Sequence, residues 1–290
     1  MSIIKLKTLG KFQISYKNRN VTQFSTCFVE ELCAFLLIYS NQPHHRLKII
    51  YTIWPDVDEE KGRGRLNTTL WRMKKALATL GLSAEKMLHT TRDWITLQPE
   101  HPLEVDIDII QSLTNNIDWE NKKQTNTADI IHIIDLYTGE FLEGFYSPWC
   151  LQLREKYERV YLRLLGQLMH RQIANEAYAD AVQIGHHILS LDSLREDVHR
   201  AIMYCYFQRN QFARVIKQYK ICEQLLWKEF KIAPSDGTRE LFHQAFMKQI
   251  TAQAKSLNPH QLPLQDVNQA LYNYHQASQN LLSLLEKHKI

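Results

Sequence analysis

The sequence predicts an α+β N-terminal domain, made of a small sheet, three helices and a closing hairpin, followed by an all-helical array. Three observations predict it. Alternating apolar residues bracket residues 1–99 at both ends, helical apolar spacing fills the stretch between, and a 34-residue self-similarity runs through the second half. At 290 residues the chain exceeds the usual size of a single core, so two domains are expected. Hydrophobic residues make up 44%, charged residues 23%, and there are only 9 glycines and 8 prolines, a composition of ordered globular protein.

Residues 3–8 and 11–16 alternate apolar and polar around Leu9-Gly10, the pattern of a half-buried hairpin. Thr26 can cap a helix carrying Val29, Leu32, Cys33, Leu36 and Leu37 at helical spacing, ending near Ser40-Asn41 before Pro43. A shorter helix follows over about 47–54 and stops at Pro55.

A third helix is expected over about 60–80. Leu66, Leu70, Met73 and Leu77 follow i, i+4, i+7 and i+11, which stacks them in one narrow stripe. Half a turn away lie Lys61, Arg65, Thr68, Arg72 and Lys75, with Asn67, Trp71 and Lys74 on the shoulders. Such a helix is pinned on one side and offers cations and hydrogen-bonding groups on the other. After Gly81, residues 87–91 and 94–98 alternate again around Arg92-Asp93, which closes the domain with a hairpin.

Sheet, three helices and hairpin is the order of a winged helix with an extra N-terminal sheet, whose third helix enters the major groove of duplex DNA. The charge distribution agrees: residues 1–99 hold 15 Lys and Arg against 8 Asp and Glu, a balance of +7, whereas residues 100–290 hold 20 against 23, a balance of −3. In the groove, Arg65 and Arg72 can each make a bidentate contact with guanine, and Thr68 can reach a base or a thymine methyl. Lys61, Lys74 and Lys75 suit phosphates, because a point charge carries little sequence information. Asn67, Arg63 and the hairpin-tip Arg92 complete the candidate DNA-binding set. Trp71 has two readings, packing against the sheet or lying on a sugar. A cationic face alone equally describes a solvated surface helix, and the element order is what turns it toward DNA.

Residues 1–99, with Leu9-Gly10-x-Phe12, Ile53-Trp54-Pro55-Asp56 and Leu66-x-x-x-Leu70-x-Arg72-Met73-Lys74-Lys75-x-Leu77, resemble the OmpR-type winged helix of the Streptomyces antibiotic regulatory proteins. Val105-Asp106-Ile107, Leu136-Tyr137-x-Gly139-x-Phe141-Leu142, Trp149, Tyr219-x-x-Cys222-x-x-x-Leu226 and Ala233-Pro234-Ser235 resemble the bacterial transcriptional activator domain that follows it in that family. The resemblance implies a transcription regulator that binds repeated promoter sites in double-stranded DNA and contacts RNA polymerase. Two positions depart from the family: Trp71, where it usually carries a small residue, and the tip Thr91-Arg92-Asp93-Trp94, where it commonly has glycine.

From about 103 onward only helices are expected. A shift of 34 residues superposes Met169 on Met203, Ile173 on Phe207, Tyr178-Ala179 on Phe212-Ala213, Val182 on Ile216 and Leu191 on Leu225. Thirty-four is the tetratricopeptide period, so residues 103–254 are expected to form a tetratricopeptide-like array of stacked helix pairs with a groove. Residues 255–264, with two prolines, read as a linker. A terminal helix over 265–290 places Val267, Leu271, Tyr274, Ser278, Leu281 and Leu285 on a seam that either packs back on the array or joins a second protomer.

Other classes find little support. The segment Met1-Ser2-Ile3-Ile4-Lys5-Leu6-Lys7 lacks the apolar core of a signal peptide, and no run of about 18 apolar residues occurs, so a cytoplasmic location without membrane insertion is expected. Five cysteines without a Cys-x-x-Cys pair read as buried thiols. His44-His45 and His186-His187 do not make a metal motif, and no phosphate-binding Gly-rich loop occurs, so no cofactor and no metal is expected. Asp56 and Asp58, or Asp106 and Asp108, precede helices, where capping is the expected role, and no catalytic constellation forms. The rival class is an interaction adaptor whose helical groove binds protein while the winged helix is only structural.

Overall fold

The computed structural model describes residues 2–115 and 127–256, and the chain divides into two compact units between Ala177 and Tyr178. In unit 1 the first hairpin forms as expected, β1 (Ile4–Lys7) pairing antiparallel with β2 (Gln13–Tyr16). Ile4, Leu6, Ile14 and Tyr16 turn inward in strict alternation, which fixes the register, because a slip by one residue would expose them all. β3 (Arg19–Val21) extends this sheet on one edge.

α1 (Cys27–Ile38) is capped by Thr26, whose hydroxyl accepts from the Val29 N–H. After β4 (Pro43–His45) come α2 (Arg46–Ile53), α3 (Glu59–Thr79), the short α4 (Ala84–Met87), and the hairpin β5 (Leu88–Thr90) and β6 (Trp94–Leu97). β4 pairs with β6, making the wing a three-stranded sheet. A winged helix with an extra N-terminal sheet is thus the architecture of the first hundred residues.

Two features of the next segment differ from expectation. Residues 103 onward are not helices only: β7 (Leu103–Val105) joins the first sheet parallel to β1. Three residues with a half-buried pattern are too few to show a period, and their partner lies about a hundred residues away. The boundary expected at 99–103 also falls inside unit 1, and two sets of contacts account for it. Asp106 is buried and accepts from the Thr8 N–H at 2.7 Å, the Thr8 hydroxyl at 2.5 Å and the Leu9 N–H at 2.8 Å, while also capping the Ile107 N–H. Its expected capping role is therefore only part of what it does. Gly10, at φ +92°, lies against Gly139, where a Cβ would come within 3.0 Å of the Gly10 Cα. The Gly10 N–H donates to the Glu140 carbonyl, the Leu142 N–H to that of Thr8, and Leu9 bridges Phe141. The short motifs read from the two halves thus meet in one core.

α5 (Asp106–Asn115), α6 (Thr127–Leu136) and α7 (Pro148–Ala174) complete unit 1. Trp149 stands edge-on to Phe35 of α1, and its indole N–H donates to Glu31 at 3.0 Å. Ser147 donates to the same buried carboxylate, whose pKa burial raises and these two bonds draw back.

Unit 2 stacks α8 (Tyr178–Leu191), α9 (Glu196–Gln208), α10 (Phe212–Phe230) and α11 (Asp236–Ser256) in sequence order. The 34-residue repeat is visible in the backbone. Glu176 at φ +60° and Asn210 at φ +54° hold equivalent turns, in which Ala177 N–H donates to the Gln172 carbonyl and Gln211 N–H to that of Tyr206. Ala233-Pro234-Ser235 starts α11: the Ser235 N–H and the Thr238 hydroxyl both donate to Glu196. The terminal helix expected at 265–290 lies outside the described residues, as does the expected linker except that α11 runs through Ser256. Of the five cysteines, Cys27 is exposed, contrary to the expectation of buried thiols, and the other four are buried. No described helix is long and apolar enough to cross a membrane.

Candidate nucleic-acid interface

α3 begins where Asp58 accepts from the Lys61 N–H at 2.9 Å, a bond that with the Lys61 side chain lowers the Asp58 pKa. Glu59 and Glu60 occupy the first turn, where the positive end of the helix dipole favours them. Leu66, Leu70, Met73 and Leu77 are buried, as the spacing predicts, and α1 and α2 cover them. The approach of α2 depends on Gly62: a Cβ there would stand 2.4 Å from Ile50 Cγ2. Thr69 is buried too, its hydroxyl returned to the Arg65 carbonyl at 2.8 Å.

On the opposite side Lys61, Arg65, Asn67, Thr68, Trp71, Arg72 and Lys75 are exposed, and Lys74 is half-buried. Beyond Glu60 the helix has no acidic residue, so none of its own side chains neutralises this face. The cations are not equivalent. Lys61 pairs with Asp58 and Arg63 with Glu59, each at 2.9 Å, whereas among the described residues no ion pair engages Arg65, Arg72 or Lys74. Arg63 thus folds back on the first turn. Lys75 holds its ammonium 3.7 Å from the centre of the Trp71 ring.

Trp71 is 55% exposed, so it is not buried against the sheet. It borders a groove between the second half of α3 and residues 20–26, along with Thr22, Arg72 and Lys75. A second groove follows the first half of α3 past Phe28, Trp54, Lys61 and Arg65, and Arg72 and Thr26 border both.

The wing tip closes without glycine. No residue from Thr91 to Trp94 has a positive φ; the Thr91 hydroxyl accepts from the Trp94 N–H at 3.1 Å, and Trp94 stands edge-on to His45. Arg92 is exposed at this tip. One residue absent from the sequence-derived set links wing and helix: Arg46 donates through Nη1 to Asn67 Oδ1 at 2.9 Å and through Nε to the Thr91 carbonyl at 3.2 Å. Its pKa is lowered by burial first and by Arg63 second, with Asp93 opposing. Positions 46, 67 and 91 share no period, so only the tertiary fold brings them together.

Residues 119–245 match the bacterial transcriptional activator domain family, a span inside the expected 103–254. The fold is similar to that of Mycobacterium tuberculosis EmbR, solved in complex with a low-affinity phosphopeptide: TM-score 0.66, 13% identity, 86% of this chain and 66% of that one covered. This chain thus spans just under two thirds of the EmbR chain's length. No curated protein matches the sequence. The described architecture is thus a winged helix followed by helices whose sequence matches the bacterial transcriptional activator domain.

Proposed function

We propose that the chain is a sequence-specific activator that binds duplex DNA through α3 and the wing. One observation carries this: α3 is held by its leucine side while its outer face presents exposed arginines with no acid among them after Glu60. Arg65 and Arg72, without an ion-pair partner among the described residues and about two turns apart, are the base-reading cations, with Thr68 between them; Lys61, Lys74 and Lys75 engage phosphates. Trp71 lies along the sugar-phosphate strand with Lys75 above it, an arrangement that joins apolar contact to charge neutralisation. Arg63, bound to Glu59, serves the fold of the first turn unless DNA displaces that partner. Arg92 reaches the duplex from the wing tip.

Residues 1–99 act as the DNA-reading module and residues 103–254 as the module that arranges a second protomer or engages RNA polymerase, in line with the activator-domain match. The chain works in the cytoplasm and catalyses no reaction. The test is an electrophoretic shift of genomic fragments, followed by footprinting upstream of neighbouring genes. A protected site is expected, and Arg72→Ala should weaken the cognate site by about 1–3 kcal/mol and random DNA by less. Indifference to both Arg72→Ala and Lys75→Ala would favour the adaptor reading.

A further inference from the structure

Arg46 starts α2 and lies outside the cationic face of α3, yet it touches both parts that would meet a duplex. Its guanidinium spans Asn67 of α3 and the Thr91 carbonyl of the wing, and its backbone N–H donates to the Asp93 carbonyl at 2.8 Å. A guanidinium carries donors only. The amide of Asn67 must therefore turn its oxygen toward Arg46, and the orientation follows from chemistry rather than from a choice between two similar atoms. What Asn67, itself exposed, keeps for an incoming groove is its NH2 group.

An asparagine with both ends free reads adenine, accepting from N6 and donating to N7. With one lone pair of its oxygen taken and that oxygen turned toward Arg46, Asn67 offers its NH2 first, and it suits a base edge that presents acceptors, guanine above all through O6 and N7. We propose that Arg46 is a positioning residue that joins wing to recognition helix and, by holding the oxygen of Asn67, sets the base preference of that side chain. This rests on the reading that α3 enters the major groove. It adds a residue and a rule of discrimination that neither the cationic face nor the fold supplies.

The test is selection of binding sites by the full chain from a pool of randomised duplexes, then titration of each variant on the selected site and on its single base-pair changes. Asn67→Asp keeps an oxygen for Arg46 but lacks the N–H. It is expected to bind about tenfold more weakly, with the loss concentrated at one base pair. Arg46→Ala frees the oxygen, so at that same pair the penalty for adenine should shrink more than any other. Arg46→Met keeps the length of the side chain but carries no donor for the Asn67 oxygen, and should behave as Arg46→Ala does. If Arg46→Ala does not fold, as judged by circular dichroism, the other two variants carry the comparison. Uniform weakening at every base pair by the Arg46 variants, or an unchanged profile for Asn67→Asp, would overturn the assignment of Asn67 while leaving DNA binding intact. Failure of the unmodified chain to retain any duplex would overturn both.

Discussion

α3 in unit 1 and α10 in unit 2 are both long amphipathic helices with cations outside, but they distribute charge in opposite ways. α3 carries six cations and no acid from Lys61 to Thr79, whereas α10 intersperses Arg214, Lys217, Lys220 and Lys228 with Glu223 and Glu229. A mixed face is what solubility asks for, and its field fades within a Debye length. Cations without intervening acids sum into a field that a polyanion senses. Segregation of charge, more than its amount, distinguishes the two helices.

Breaking that contrast should produce the largest effect. Arg65→Glu with Arg72→Glu puts two acids into the acid-free face of α3 and should weaken duplex binding more than about a hundredfold. Lys217→Glu with Lys220→Glu on α10 should change it less than about threefold. Anisotropy titrations on one duplex would compare the pairs. Next in size is a packing contrast. Gly62→Ala drives a methyl into Ile50 and should destabilise unit 1 by about 1–3 kcal/mol, whereas Gly237→Ala in unit 2 meets only the flexible Arg200 side chain at 3.6 Å and should be near neutral. Thermal melts of the two variants decide this.

A smaller effect sharpens the electrostatic part: Lys75→Ala should flatten the log-log salt dependence of binding by about one unit. The smallest expected effect lies in unit 2, where charge enters the core rather than the surface. His199 is buried, its Nε2 donating to the Ser193 carbonyl at 3.1 Å and its Nδ1 accepting from the Gln218 amide at 2.7 Å. Both nitrogens are satisfied in the neutral ring, and burial lowers its pKa below the ordinary 6.5. The unfolded chain therefore binds that proton first as pH falls. Stability is full above about pH 6.5 and declines as acid approaches the lower folded value; melts of the chain and of His199→Gln across this range should show the decline in the first and a shallower one in the second.

Local periodicity made much of this legible. The stripe Leu66, Leu70, Met73, Leu77 located the inner side of α3 and hence its outer side, and Thr26 and Asp58 marked helix starts through their capping chemistry. The 34-residue shift surfaced again as two turns with matching hydrogen bonds. What stayed hidden depends on distant partners. β7 is too short to alternate visibly, and Asp106 resembled an ordinary cap because Thr8 and Leu9 are nearly a hundred positions away. The union of Gly10 with Gly139 in one core could not be seen from motifs that each looked complete. Within the candidate site, the pairing of Arg63 with Glu59 was available from their i, i+4 spacing, whereas the bridge from Arg46 to Asn67 and Thr91 was not.

The central claim, that α3 is the surface a duplex meets, is tested most directly by photocrosslinking the full chain to a retained duplex carrying photoreactive bases and sequencing the attached peptides. Attachment within residues 61–75, with a lesser share at the wing tip around Arg92, is the expected result. Crosslinks confined to unit 2 would contradict it.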